Sequence, residues 1–80
     1  MNIKVLGSGC ANCKRVEALA KEVVTELGVP AKVEHVTDFK AIASYGVMAT
    51  PGLVIDEKVV CAGRIPSKAE VTTFITSALA

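Results

Sequence analysis

Between Ala11 and Leu27 the apolar residues Val16, Leu19, Ala20, Val23, Val24 and Leu27 recur at helical spacing, with Lys14, Glu17, Lys21, Glu22 and Glu26 on the other faces. Gly28 and Pro30 end that helix. β-rich runs lie on both sides of it, Asn2 to Leu6 before and Lys32 to Val36 after, the first stopped by Gly7-Ser8-Gly9. Strand, helix and strand in close succession define a βαβ unit, whose two strands lie parallel and are joined by a right-handed crossover. This unit limits what the remaining residues can build.

Those residues add a short helix, a hairpin and a closing helix. Thr37-Asp38 reads as the cap of a helix running to about Tyr45 and stopped by Gly46. After Pro51, Leu53-Val54-Ile55 and Lys58-Val59-Val60-Cys61 flank Asp56-Glu57 at the spacing of a tight hairpin, although this turn lacks the glycine such turns favour. Ser67-Lys68-Ala69-Glu70 is a capping box, and Val71, Phe74, Ile75, Ala78 and Leu79 form the apolar stripe of the last helix. The expected order is β-α-β-α-β-β-α, an α/β fold with a four-stranded mixed sheet and helices on both faces. With 80 residues and 51% apolar composition, residues 1–80 are expected to form a single domain.

The net charge of +1 comes from nine basic and eight acidic residues scattered along the chain, with no polybasic patch to hold phosphate, so nucleic acid is not an expected partner. The first residues are too poor in apolar side chains for a signal peptide, and no run approaches membrane-spanning length. A cytoplasmic protein that does not enter the membrane is expected. The cysteines Cys10, Cys13 and Cys61 are odd in number and too few for a disulfide scaffold, which favours reactive or metal-binding thiols in a reducing compartment.

Cys10 and Cys13, three residues apart, suit a redox disulfide, half of a zinc site or a soft-metal clamp. At the mouth of the first helix Cys10 meets unpaired N–H groups and the positive dipole end, which favour the thiolate. Such thiols have pKa values of roughly 3.5 to 7.5 in place of about 8.5, and Lys14 and Arg15 one turn away push in the same direction. Cys13 falls on the track of Val16, Ala20, Val23 and Leu27 and should point inward. Cys10 is then the nucleophile and Cys13 the resolving thiol.

The segment Tyr45-Gly46-Val47-Met48-Ala49-Thr50-Pro51-Gly52-Leu53-Val54-Ile55, taken with the cysteine pair, the element order and Gly63 after the last strand, resembles the thioredoxin-like superfamily. It is most similar to the small, glutaredoxin-sized thioredoxins of archaea and bacteria, often called redox-active disulfide proteins. The resemblance implies a thioredoxin-like fold with four strands and three flanking helices. It also implies that Pro51 is cis and sits against the cysteines, and that Thr50 offers backbone groups to the substrate chain. No tryptophan precedes Cys10, Ala11-Asn12 stands between the cysteines, and no acid falls in the first strand. Glutathione-binding residues find no match.

The resulting expectation is a monomeric thiol–disulfide oxidoreductase that reduces protein disulfides. It would need no cofactor beyond the Cys10–Cys13 disulfide and would draw electrons from a reductase. The alternative is a carrier of copper(I) or arsenite on the same thiols, with Cys61 as a third ligand. That alternative rests on the likeness of residues 7–23, with Gly7-X-X-Cys10-X-X-Cys13, to the helix start of small heavy-metal-associated domains, whose order is β-α-β-β-α-β. Cys61 is expected roughly opposite Gly52 in the hairpin, either as a small buried residue or as that third thiolate. His35 is expected as a partly buried histidine on an edge strand, and Met48 either in an apolar rim around the site or packed in its loop.

Overall fold

The structure is a computed structural model that describes residues 1–7 and 11–79. Its elements are β1 (Asn2–Leu6), α1 (Ala11–Leu27), β2 (Lys32–Val36), α2 (Phe39–Ser44), β3 (Gly52–Ile55), β4 (Lys58–Ala62) and α3 (Lys68–Leu79), in the order expected. The strands form a four-stranded mixed sheet ordered β2-β1-β3-β4. β1 lies between β2, parallel to it with Leu6 opposite Val36, and β3, antiparallel to it with Leu6 opposite Gly52. The C-terminal ends of β1, β2 and β4 and the start of β3 therefore share one end of the sheet.

Alternation along β1 divides the interior into two layers. Ile3 and Val5 join Leu53 and Ile55 of β3 beneath α1 and α3, which contribute Cys13, Val16, Ala20 and Val23 and then Val71 and Ile75. On the opposite face Leu6 and Val54 pack against Ile42 of α2 and Val47. Each large aliphatic side chain buried in this way contributes roughly 1.5–3 kcal/mol. The stripe of α3 is shorter than its sequence suggests. Val71 and Ile75 are fully buried, but Ala78 is exposed and Leu79 keeps 55% of its surface.

Termini and turns follow local chemistry. α1 closes with Gly28 at φ +66, Gly28 N–H bonding to Thr25 O and Val29 N–H to Val24 O, the paired bonds of a Schellman motif. The Asp38 carboxylate caps α2 by accepting from Lys40 N at 3.2 Å. In α3 the capping box is reciprocal: Ser67 Oγ accepts from Glu70 N, and Glu70 Oε1 accepts from Ser67 N, both at 3.1 Å.

The hairpin turn forms without glycine. Asp56 and Glu57 take φ +47 and +70, the left-handed pair of a type I′ turn. Their side chains offset the conformational cost. Asp56 Oδ1 accepts from Asn2 N at 2.8 Å, and Glu57 receives Lys4 Nζ at 2.8 Å and Tyr45 Oη at 2.9 Å. Lys4 also donates to Tyr45 Oη at 3.0 Å, which closes a three-membered ring of polar groups between β1, α2 and the turn. These bonds hold the Glu57 carboxyl below its usual range, with the Lys4 hydrogen bond as the main cause.

Glu70 also takes Arg64 as a two-pronged partner, with Nη1 to Oε1 at 3.0 Å and Nη2 to Oε2 at 2.6 Å. The Arg64 bonds first, and then the Ser67 N–H, lower its carboxyl from 4.5 to about 2. Because the folded value is depressed, this stabilisation is complete above about pH 4.5 and is lost as the pH falls from there to about 2. Denaturant titrations across that window should show a shallower acid loss of stability in Glu70→Gln than in the parent. Ser67→Ala, which removes the cap acceptor, should lower stability by about 1 kcal/mol at neutral pH.

Candidate active site

The site end of the sheet is built around a close approach of backbone to sulfur. Gly7 leaves β1 with its N–H bonded to Val36 O at 2.9 Å, so its position is tied to the ends of two strands. A Cβ built on Gly7 would fall on the Cys13 sulfur, and Thr50 Cβ would lie 3.7 Å from it. Cys13 is fully buried on the inward track of α1, directly against the end of β1. Only glycine leaves room for a sulfur there.

The Thr50-Pro51 peptide, cis as the resemblance implies, reaches the same place from the other side. Pro51 is buried and Thr50 exposed. Pro51 O accepts from Gly63 N at 2.9 Å, which joins the end of β4 to the proline loop. Gly63 has φ +78, and a Cβ on it would come within 3.3 Å of Ala49 Cβ, so glycine is favoured there both by backbone angle and by space. Cys13, Gly7, Thr50 and Pro51 thus meet where three strands end. Cys10 lies outside the described residues, as does the acidity expected for it. Lys14 and Arg15 are exposed in the first turn of α1.

Cys61 is not opposite Gly52. Val54 pairs with Val59, but Leu53 pairs with Cys61 and Gly52 with Ala62, which leaves Val60 as the extra residue of a β-bulge. One inserted residue reverses the face of everything beyond it. Cys61 therefore joins the core that holds Cys13, under α1 and α3, and does not face the α2 layer. Its thiol is buried and donates to Arg64 O at 3.8 Å. The Arg64 guanidinium holds its proton more firmly than usual, mainly through Glu70 and then through the neighbouring Cys61 sulfur.

His35 is partly buried on the edge strand β2, as its parity with Val33 suggests, and its buried Nε2 has no hydrogen-bond partner among the described residues. Met48, for which loop packing was one expectation, is 99% exposed. Gly7 stops β1 as the sequence suggests, but its part in seating the Cys13 sulfur was not legible there. A glycine after a strand signals a turn in any fold, and only the packing of α1 on β1 shows that a sulfur needs the space.

The fold and this site define a small α/β protein of the thioredoxin-like class. A family model described as thioredoxin domain matches residues 1–76, and the chain belongs to that family. A protein named thioredoxin from Methanothermobacter thermautotrophicus is 38% identical over 76 residues, covering 95% of this chain and 99% of the relative. Another of that name from Methanocaldococcus jannaschii is 38% identical over 77 residues, covering 96% of this chain and 88% of the relative.

The Gly7 contact has a direct consequence. Gly7→Ala should destabilise the fold by about 1–3 kcal/mol, read by chemical denaturation, because the new methyl displaces the Cys13 sulfur while the backbone stays tied to Val36.

Proposed function

We propose that this protein is a thiol–disulfide oxidoreductase that cycles Cys10 and Cys13 between dithiol and disulfide to reduce protein disulfides in the cytoplasm. Membership of the thioredoxin-domain family supports a redox role in general terms. The observation that carries the finer reading is the seat of Cys13, three residues after Cys10 in the sequence: a buried sulfur packed on Gly7 and beside Thr50. A resolving thiol needs such a place, shielded from the substrate and next to the nucleophile.

In the forward half-cycle the Cys10 thiolate attacks one sulfur of the partner's disulfide. A Cys10–partner disulfide forms, and the partner's other sulfur leaves as a thiolate and takes up a proton. Cys13 then gives up its proton and attacks the Cys10 sulfur, forming Cys10–Cys13 and releasing the partner's second thiolate. Two electrons pass from the protein to the partner. The dithiol of a reductase restores the pair by the reverse exchange, and no separate cofactor is needed. Thr50, exposed before Pro51, offers backbone groups to the partner chain, and Lys14 and Arg15 favour the Cys10 thiolate. The protein acts as a monomer. No helix among the described residues is long and apolar enough to cross a membrane.

Metal carriage on Cys10, Cys13 and Cys61 is the less favoured reading. The element order here is not the β-α-β-β-α-β of the domains that suggested it.

A redox titration that counts free thiols by mass should give one reversible two-electron transition between roughly −270 and −120 mV, abolished by Cys10→Ser. Cys13→Ser should trap a mixed disulfide with a model substrate and Cys10→Ser should not. The opposite trapping pattern would reverse the two roles. Absence of a transition, with copper(I) or arsenite protecting the thiols, would replace the redox reading with metal carriage.

A further inference from the structure

Each of the eight Asp and Glu side chains is engaged within the chain. Glu17, Glu22, Glu26, Glu34, Glu57 and Glu70 stand in ion pairs. Asp38 and Asp56 accept from backbone N–H groups. The cations are not matched to the same degree. Among the described residues Lys14, Arg15, Lys40 and Lys58 have no ion-pair partner, so the small overall charge of +1 conceals where the uncompensated charge lies.

Three of those four stand at the site end. Lys14 and Arg15 occupy the first turn of α1, and Lys40 the first turn of α2. α2 starts just beyond Val36, level with Leu6 and Gly7, and its C-cap Tyr45 reaches Lys4 and Glu57 toward the far end of the sheet. The cations therefore flank the thiol site from both layers of the fold. Neither α1 nor α2 carries an acid in its first turn. Asp38, the carboxylate nearest Lys40 in sequence, caps α2 through Lys40 N and keeps its own charge, so Lys14, Arg15 and Lys40 together outnumber this one acid. Lys58 lies in the hairpin at the opposite end.

The same end exposes apolar side chains. Phe39, at the start of α2, is 79% exposed, and Met48, three residues before Pro51, is 99% exposed. Bare apolar surface beside uncompensated cations suits a polypeptide better than a small anion.

Building on the oxidoreductase reading, we infer that the preferred partner of this site is a protein segment carrying acidic residues around its disulfide, steered by Lys14, Arg15 and Lys40 and seated on Phe39 and Met48. Complementary charge of this kind acts mainly on the encounter rate and weakens with salt, as the screening length shrinks from about 30 Å at 0.01 M to about 3 Å at 1 M. The effect belongs to recognition and leaves the chemical step as described.

The test uses reduced full-length protein and three oxidised probes: a cystine peptide flanked by Asp and Glu, the same peptide flanked by Lys, and the neutral bis(2-hydroxyethyl) disulfide. At low ionic strength the acidic peptide should be reduced at least about tenfold faster than the basic one, and near 1 M salt the two rates should converge. Lys40→Glu, and separately Lys14→Glu with Arg15→Glu, should bring the acidic-to-basic ratio toward one. Lys58→Glu, at the far end, should leave that ratio in place. Taking the ratio removes any general effect of α1 charges on thiol reactivity. Equal rates for both peptides at low salt, with the neutral disulfide still reduced, would overturn the acidic-partner inference and leave the oxidoreductase reading standing. Failure to reduce any of the three would overturn both.

Discussion

The contact between Gly7 and the Cys13 sulfur is the constraint on which the site depends. It holds the first turn of α1 against the end of the central strand, and the Gly7 N–H bond to Val36 O ties the same point to β2. A side chain on residue 7 would have to displace either the sulfur or two strands. The Thr50-Pro51 loop closes on this point and is itself held by the Gly63 N–H bond to Pro51 O. A pair of glycines thus lets three strand ends and a helix converge closely enough for a buried thiol to lie beside a loop whose Thr50 faces solvent.

The far end of the sheet is arranged on different terms. There the chain spends its polar groups on itself: Lys4, Tyr45 and Glu57 close a ring, and Asp56 ties the hairpin to Asn2. Arg64 and Glu70 combine an ion pair with a helix cap along the connection into α3. Such exposed pairs contribute little singly, and their greater effect is to use up carboxylates. With six of its eight acidic side chains in ion pairs, a nearly neutral chain leaves Lys14, Arg15 and Lys40 without an ion-pair partner among the described residues. Internal pairing thus creates a charge asymmetry that composition does not show.

The hairpin shows where local reading fails. Val54 opposite Val59 follows from a two-residue turn, and from that register Cys61 should face Gly52. The bulge at Val60 breaks the count and sends Cys61 into the core of Cys13. Val60 and Cys61 both pack on that core, as an even alternation would not allow, and an edge strand can bulge because only one neighbour constrains it. The stripe of α3 also fails at its end: periodicity marks Ala78 and Leu79 as inward, but both are exposed, because periodicity shows which face is apolar and not whether anything packs on it.

Element order, the helix caps, the Schellman end of α1 and the inward direction of Cys13 were legible in the sequence alone, because each depends on residues within a few positions of one another. The Cys-X-X-Cys pair and the Thr50-Pro51 step were legible for the same reason. Tertiary structure alone decided that Gly7 receives a sulfur, that Gly63 fits against Ala49, which face Cys61 takes and which cations are left without a partner. Each of these depends on groups far apart in the chain, whose separation is set by packing between layers and by register between strands. Local propensity carries no information about either.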